Sequence, residues 1–110
     1  MIDSKGRVRI AETVRAAMEW EGLSGPRIDA GGRVSRATVD RVKRGDARIS
    51  DKMLRALGDV LGLPKDYLLY VGAGDVGRIE QSGADSDLIR WTVDLIRSSP
   101  PELVRVEDQK

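Results

Sequence analysis

The sequence contains no cysteine and no histidine among its 110 residues. Without cysteine, the chain has no disulfide framework, no thiolate zinc site and no cysteine nucleophile. Without histidine, a metal site would need carboxylates alone, and general acid–base catalysis loses its most common agent. We therefore expect a protein that is not an enzyme and that needs neither a metal nor a cofactor.

The sequence also lacks a long apolar run. No stretch approaches the roughly 18 consecutive apolar residues of a membrane span, and no charged segment followed by an apolar one opens the chain as in a secretory signal. Hydrophobic residues make up 40% of the chain and charged residues 34%, a composition typical of a folded globular protein. We expect one core and a cytoplasmic location without membrane contact, associated with the nucleoid if the chain binds DNA.

The net charge of +1 is unevenly distributed along the chain. Residues 1–55 carry 13 Lys and Arg against 8 Asp and Glu, which gives this half a net charge of +5. Residues 56–110 carry 6 Lys and Arg against 10 Asp and Glu, which gives a net charge of −4. Such an asymmetry suits a protein that places one end against an anionic polymer. Arginine outnumbers lysine 14 to 5, which favours bidentate recognition or reflects a GC-rich genome.

Apolar spacing and capping residues predict five helices within residues 1–71. In the first helix, apolar residues recur from Ile10 at i, i+4, i+7 and i+8, which is one helix face, and Gly22 supplies the stop. Asp3 or Ser4 is available as its cap. The other four helices are predicted from their own caps and stops, over residues 26–30, 36–44, 51–61 and 64–71.

The third predicted helix has two distinct faces. Ser35 is a favourable N-cap, Val39 and Val42 fall on the inner face, and Gly45 ends the helix. The outward positions are mainly basic: Arg36, Ala37, Asp40, Arg41 and Arg44. Two short helices joined by a tight turn, the second capped and basic outside, are the physical design of a helix-turn-helix, whose second helix fits the roughly 12 Å major groove of DNA.

The rest of the chain predicts an appendage. Residues 72–85 are rich in glycine and charge and show no sustained periodicity, which is typical of a linker. A last helix begins near Ser86, and it has apolar residues on several sides, so it needs a partner. We assign residues 1–71 to a DNA-binding domain, 72–85 to the linker, and 86–110 to an oligomerisation helix and tail.

The stretch "VSRATVDRVKRG" at residues 34–45, with "LSGPRIDAGG" before it and "SDKMLRALGDVLG" after it, resembles the lambda-repressor-like or Cro-type helix-turn-helix family, also known as the xenobiotic-response-element family. The resemblance covers residues 8–71. It implies an all-α fold in which a five-helix DNA-binding domain is followed, in this chain, by the linker and one C-terminal helix.

The resemblance also implies roles for individual residues. Arg36, Ala37, Asp40 and Arg41 fall where the family reads bases. Because bidentate arginine–guanine contacts are the most common specific contacts, Arg36 and Arg41 predict guanines in the half-site. A second set of residues is expected to contact the DNA backbone. This set comprises Arg27, Ser35, Thr38, Arg44 and Arg48.

The expected function is sequence-specific transcriptional regulation. The protein is expected to be a repressor of the phage or prophage immunity type. A homodimer on double-stranded DNA would cover two half-sites about 34 Å apart. We expect the dimer contact to be formed by apolar residues of the last helix, namely Leu88, Trp91, Leu95 and Ile96. This helix could instead pack on its own domain. Removal of residues 86–110 is then expected to leave residues 8–71 folded.

The sequence permits three other interpretations besides DNA binding. The chain could be an antitoxin whose segment from Ser86 binds a partner protein. It could be an interaction module without DNA affinity, since Gly25 stands where the family has a glutamine. Residues 72–77 also match the dinucleotide motif G-x-G-x-x-G, but that motif needs a βαβ unit, and only 33 residues follow it.

Overall fold

The computed structural model describes residues 2–23, 27–28, 31–46 and 49–98, in which every regular element is a helix and no strand occurs. The predicted all-α class is thereby confirmed, and these residues contain no βαβ unit for the motif at residues 72–77. None of the helices in the described part has the length and apolar character needed to cross a membrane. Six helices have defined bounds: α1 (Ser4–Glu21), α2 (Arg36–Lys43), α3 (Asp51–Val60), α4 (Tyr67–Ala73), α5 (Val76–Glu80) and α6 (Ser86–Ser98).

The predicted first helix is α1, which is capped by Asp3, one of the two candidate caps, and ends at Gly22 as the sequence indicates. Residues 4–9, which precede the apolar pattern and from which a flexible lead-in is expected, are helical as well. The Asp3 carboxylate accepts a hydrogen bond from the backbone N–H of Gly6 at 2.8 Å, which satisfies one of the unpaired donors of the first turn. This hydrogen bond lowers the pKa of the Asp3 carboxyl below its ordinary value. At the other end the chain leaves the helix at Gly22. Of the predicted second helix, Arg27 and Ile28 are helical, and its other residues lie outside the described part.

The core forms where α1 crosses α4. The two backbones approach closely at a pair of glycines, because a Cβ atom on Gly6 would lie 2.3 Å from the carbonyl oxygen of Gly72. Beside this contact, Arg9 donates from Nε to the carbonyl of Val71 and from Nη2 to that of Gly72, each at 3.1 Å. The Arg9 side chain therefore supplies a donor to the carbonyl of Gly72 in the last turn of α4, and it adds a second donor to that of Val71, which also accepts from the N–H of Gly74.

The structure corrects the linker predicted over residues 72–85. Its first residues continue α4, and residues 76–80 form α5, whose first turn is capped by the Asp75 carboxylate accepting from the N–H of Arg78 at 3.2 Å. Ile79 is fully buried in the core. A helix of five residues is too short to show a periodic apolar pattern, so no apolar period predicts it.

The last helix, α6, packs on its own domain and contacts α1 and α5. Leu88 and Val93 are buried in the common core, and Thr92 is fully buried between them. The Thr92 hydroxyl donates to the carbonyl of Leu88 at 2.8 Å, so the Tyr67 hydroxyl, also 2.8 Å away, must donate to Thr92. Of the two arrangements considered for this helix, the structure shows packing on its own domain, and α6 is part of the fold.

Replacement of Tyr67 by phenylalanine is expected to change how stability responds to alkaline pH. Burial raises the pKa of the Tyr67 phenol above its ordinary value. Above about pH 10 the unfolded chain therefore releases a proton that the folded chain keeps, so stability falls as the pH rises. Tyr67→Phe should cost about 1 kcal/mol at neutral pH and lose less stability than the parent between about pH 9 and about pH 11.

Urea unfolding across this pH range tests the prediction, with Tyr70→Phe as the matched control because Tyr70 is only partly buried. If the parent and Tyr67→Phe lose the same free energy of unfolding at alkaline pH, Tyr67 does not contribute to the pH dependence of stability.

Candidate nucleic-acid interface

The helix α2 is fixed at both ends by its own residues. At its start the Ser35 hydroxyl oxygen accepts a hydrogen bond from the N–H of Thr38 at 3.1 Å. At its end the N–H of Gly45 donates to the carbonyl of Val42 at 2.9 Å, and that of Asp46 donates to the carbonyl of Arg41 at 3.0 Å. Gly45 has φ 75°, a left-handed conformation that glycine adopts without strain. Together these bonds form a Schellman motif, a common helix terminus.

One face of α2 is packed against the protein. Thr38, Val39 and Val42 are buried, and Val39 is 0% exposed. The helix contacts α1, and at the same interface Arg15 Nη2 donates to the carbonyl of Lys43 at 2.9 Å. Burial of the two valines on this face agrees with the sequence pattern. Because α2 is held along one side and at both ends, its outer face has a fixed orientation.

The outer face brings the four residues predicted to read bases together. At about 100° per residue, Ala37, Asp40 and Arg44 lie opposite the buried face. Arg36 and Arg41 flank them on either side. Arg36, Ala37 and Arg44 are exposed, whereas Asp40 and Arg41 are partly buried.

Arg41 differs from Arg36 in being held by a neighbour. Its Nε lies 3.4 Å from Oδ2 of Asp46. The Arg41 side chain is 39% exposed and that of Asp46 is 15% exposed, so the guanidinium lies nearer to solvent than the carboxylate that holds it.

The residues predicted to contact the DNA backbone fall into different environments. Ser35 and Arg44 are exposed at the two ends of α2, and Arg27 is exposed on the helical segment that precedes it. Arg48 lies outside the described residues. Thr38 is only 6% exposed, and its hydroxyl lies 3.0 Å from that of Ser35. Its contact with the DNA backbone stays a prediction.

Sequence reasoning assigned no role to Arg33, which extends the basic surface. Arg33 is exposed just before α2 and forms an ion pair with Asp59 of α3. Both side chains are more than half exposed, at 58% and 60%, so the pair contributes little to stability. The signal for Arg33 in the sequence is a cation two residues before the helix cap Ser35, but its partner, 26 residues away, cannot be identified from sequence.

The residues predicted to form a dimer differ in exposure. Leu88 is 7% exposed and belongs to the protein's own core. Trp91 and Ile96 are partly buried against that core, and Leu95 is partly buried. Trp91 also lines a shallow hollow of about 200 Å³ with Trp20, which is 53% exposed.

Chemically, the outer face of α2 offers guanidinium groups that can donate two parallel hydrogen bonds to phosphates or base edges. Asp40 adds an acceptor for amino groups such as that of cytosine. No family model matches this chain, and no curated protein and no solved structure matches it either.

Proposed function

We propose that this chain is a sequence-specific DNA-binding transcriptional regulator whose helix α2 enters the major groove. The observation that carries the proposal is the construction of α2. Its inner face is anchored by Val39 and Val42, its start is capped by Ser35, and its outer face presents arginine, alanine and aspartate side chains at a fixed orientation. A major groove roughly 12 Å wide admits one such helix, and these side chain types are among those that contact base edges.

The segment before α2 supports a helix-turn-helix arrangement. Arg27 and Ile28 are helical, and Ile28 is 2% exposed. The chain turns at Gly31, whose N–H donates to the carbonyl of Ile28 at 3.1 Å, and returns to the core at Val34, which is 1% exposed. A helical residue and a residue just before α2 are thus both anchored in the core with only five residues between them in the sequence, as the proposed motif requires.

The biological setting is part of the same proposal. The resemblance of residues 8–71 suggests a repressor, most of all one of phage or prophage immunity type, acting as a homodimer on a two-fold operator. Two copies of a groove-entering helix would contact half-sites about 34 Å apart.

A role in protein interaction is the second candidate, and one observation favours it. Trp20 is 53% exposed and shares a hollow with Trp91, and exposed aromatic surface often marks a contact with another protein. An antitoxin that presents a freely extended segment from Ser86 is less favoured, because Leu88, Thr92 and Val93 are buried in the core.

Selection of bound duplexes from a random library tests the proposal. The full chain is expected to enrich a guanine-containing inverted repeat, which Arg36→Ala/Arg41→Ala should fail to enrich because each arginine–guanine pair contributes about 1–3 kcal/mol of discrimination. A matched control, Arg90→Ala/Arg97→Ala, removes two exposed arginines from α6 and should retain the enrichment.

Two results would count against the proposal. The first is absence of enrichment by the full chain, which would favour the partner-binding alternative. The second is equal loss of enrichment in both double variants, which would indicate that binding depends on the net charge of the protein and not on the arginines of α2. Affinity for the selected duplex should also fall steeply with added salt, because phosphate contacts release counterions.

A further inference from the structure

We infer that Asp46 is a positioning residue that sets the base preference of Arg41. The inference rests on the proposed function, since it concerns how Arg41 would read DNA. It assigns a role in recognition to an acidic residue that lies outside α2.

The turn after α2 brings the two side chains together. In a Schellman motif the third residue from the end of the helix and the third residue beyond its end are paired through the backbone, and an apolar contact between their side chains commonly accompanies the pairing. Here these positions hold Arg41 and Asp46, whose backbones are joined by the 3.0 Å bond from the N–H of Asp46. An ion pair takes the place of the usual apolar contact, with Nε of Arg41 3.4 Å from the carboxylate.

The atoms used in this pair determine what remains for DNA. Asp46 engages Nε of Arg41, which leaves the two Nη groups to donate together. Guanine presents O6 and N7 as a pair of acceptors in the major groove, and an arginine with an ordered guanidinium contacts both. Because the Asp46 side chain is less exposed than that of Arg41, at 15% against 39%, the carboxylate holds the guanidinium from the protein side.

Loss of the carboxylate would free the arginine. A long side chain without this contact has many rotamers, and a phosphate oxygen attracts a guanidinium as well as a base edge does. Arg41 would then bind the sugar–phosphate backbone of any sequence. Asp46 also places a negative charge beside the DNA, so it weakens binding to duplexes that offer no guanine to Arg41.

Asp46→Asn tests the inference, because asparagine keeps the size of the side chain and removes its charge. Affinities are measured for the duplex that the full chain selects and for a scrambled duplex of the same composition. The ratio of the two affinities is expected to fall roughly 5- to 160-fold, the discrimination that one arginine–guanine pair provides, while binding to the scrambled duplex stays equal or becomes tighter. Asp94→Asn, which removes one exposed charge from α6, should leave the ratio unchanged.

A double-mutant cycle separates positioning from a merely structural role. In an Arg41→Ala background, Asp46→Asn should have no further effect on the affinity ratio, and its melting temperature should show that the turn is intact. The inference is overturned if the ratio is unchanged in Asp46→Asn, or if affinity for both duplexes falls in parallel. It is also overturned if the ratio falls equally in the presence and absence of Arg41. Failure of the parent chain to select any duplex would instead remove the proposed function on which the inference depends.

Discussion

A chain that ends at residue 85 is expected to lose its cooperative fold. Truncation there removes the buried Leu88, Thr92 and Val93 from the core and leaves the buried hydroxyl of Tyr67 without its acceptor. Each large apolar side chain contributes about 1.5–3 kcal/mol through burial, and an unpaired buried hydroxyl costs about 1–3 kcal/mol. The sum is comparable with the 5–15 kcal/mol that stabilises a typical domain. The test is thermal unfolding of the truncated and the full chain, followed by circular dichroism, in which the truncated chain should show no cooperative transition.

Point variants of α6 show whether its buried face carries this effect. Leu88→Ala should cost about 2–5 kcal/mol because it opens a cavity in the core. Arg90→Ala is the matched control on the same helix, since the Arg90 side chain is 73% exposed and such substitutions usually stay within about 0.5 kcal/mol. If the chain ending at residue 85 melts cooperatively at the temperature of the full chain, α6 is the separable appendage that the sequence pattern predicts.

The contrast between α1 on one side and α5 and α6 on the other shows which helices and contacts can be predicted from the sequence. Helices with a polar cap and a sustained apolar period, such as α1, were found because both signals are local. The short helix α5 was missed, since its contribution to the core is a single residue, Ile79. The apolar face of α6 was recognised, but its partner was not, because the same face suits a second chain as well as the protein's own α1 and α5.

The candidate interface follows the same division between local and long-range information. The cap at Ser35 and the two faces of α2 depend on residues within one turn of each other, and the sequence predicted them. The backbone contact predicted for Thr38 follows from the family resemblance alone, whereas the contact of its hydroxyl with that of Ser35 is seen only in the structure. The pair of Arg41 with Asp46 depends on how the chain turns at Gly45, and the pair of Arg33 with Asp59 depends on the packing of α3.

Replacement of Gly6 by alanine is expected to lower stability by roughly 2 kcal/mol. The new Cβ atom would lie 2.3 Å from the carbonyl oxygen of Gly72, so α1 and α4 must separate or shift. Overpacking of this kind costs about 1–3 kcal/mol or more, whereas alanine improves helix propensity by at most about 1 kcal/mol. The melting temperature should fall by roughly 10 °C for a domain of this size.

Gly58→Ala is the matched control, because Gly58 also lies within a helix and is also buried. A Cβ atom there would meet Leu68 Cδ1 at 3.9 Å, an ordinary van der Waals contact, so the gain in helix propensity of about 0.5–1 kcal/mol should remain. The two substitutions are therefore expected to move the urea midpoint in opposite directions. A stabilising effect of both would show that α1 and α4 do not cross as closely as the contact between Gly6 and Gly72 requires, and the position of Arg9 on the end of α4 would then need revision as well.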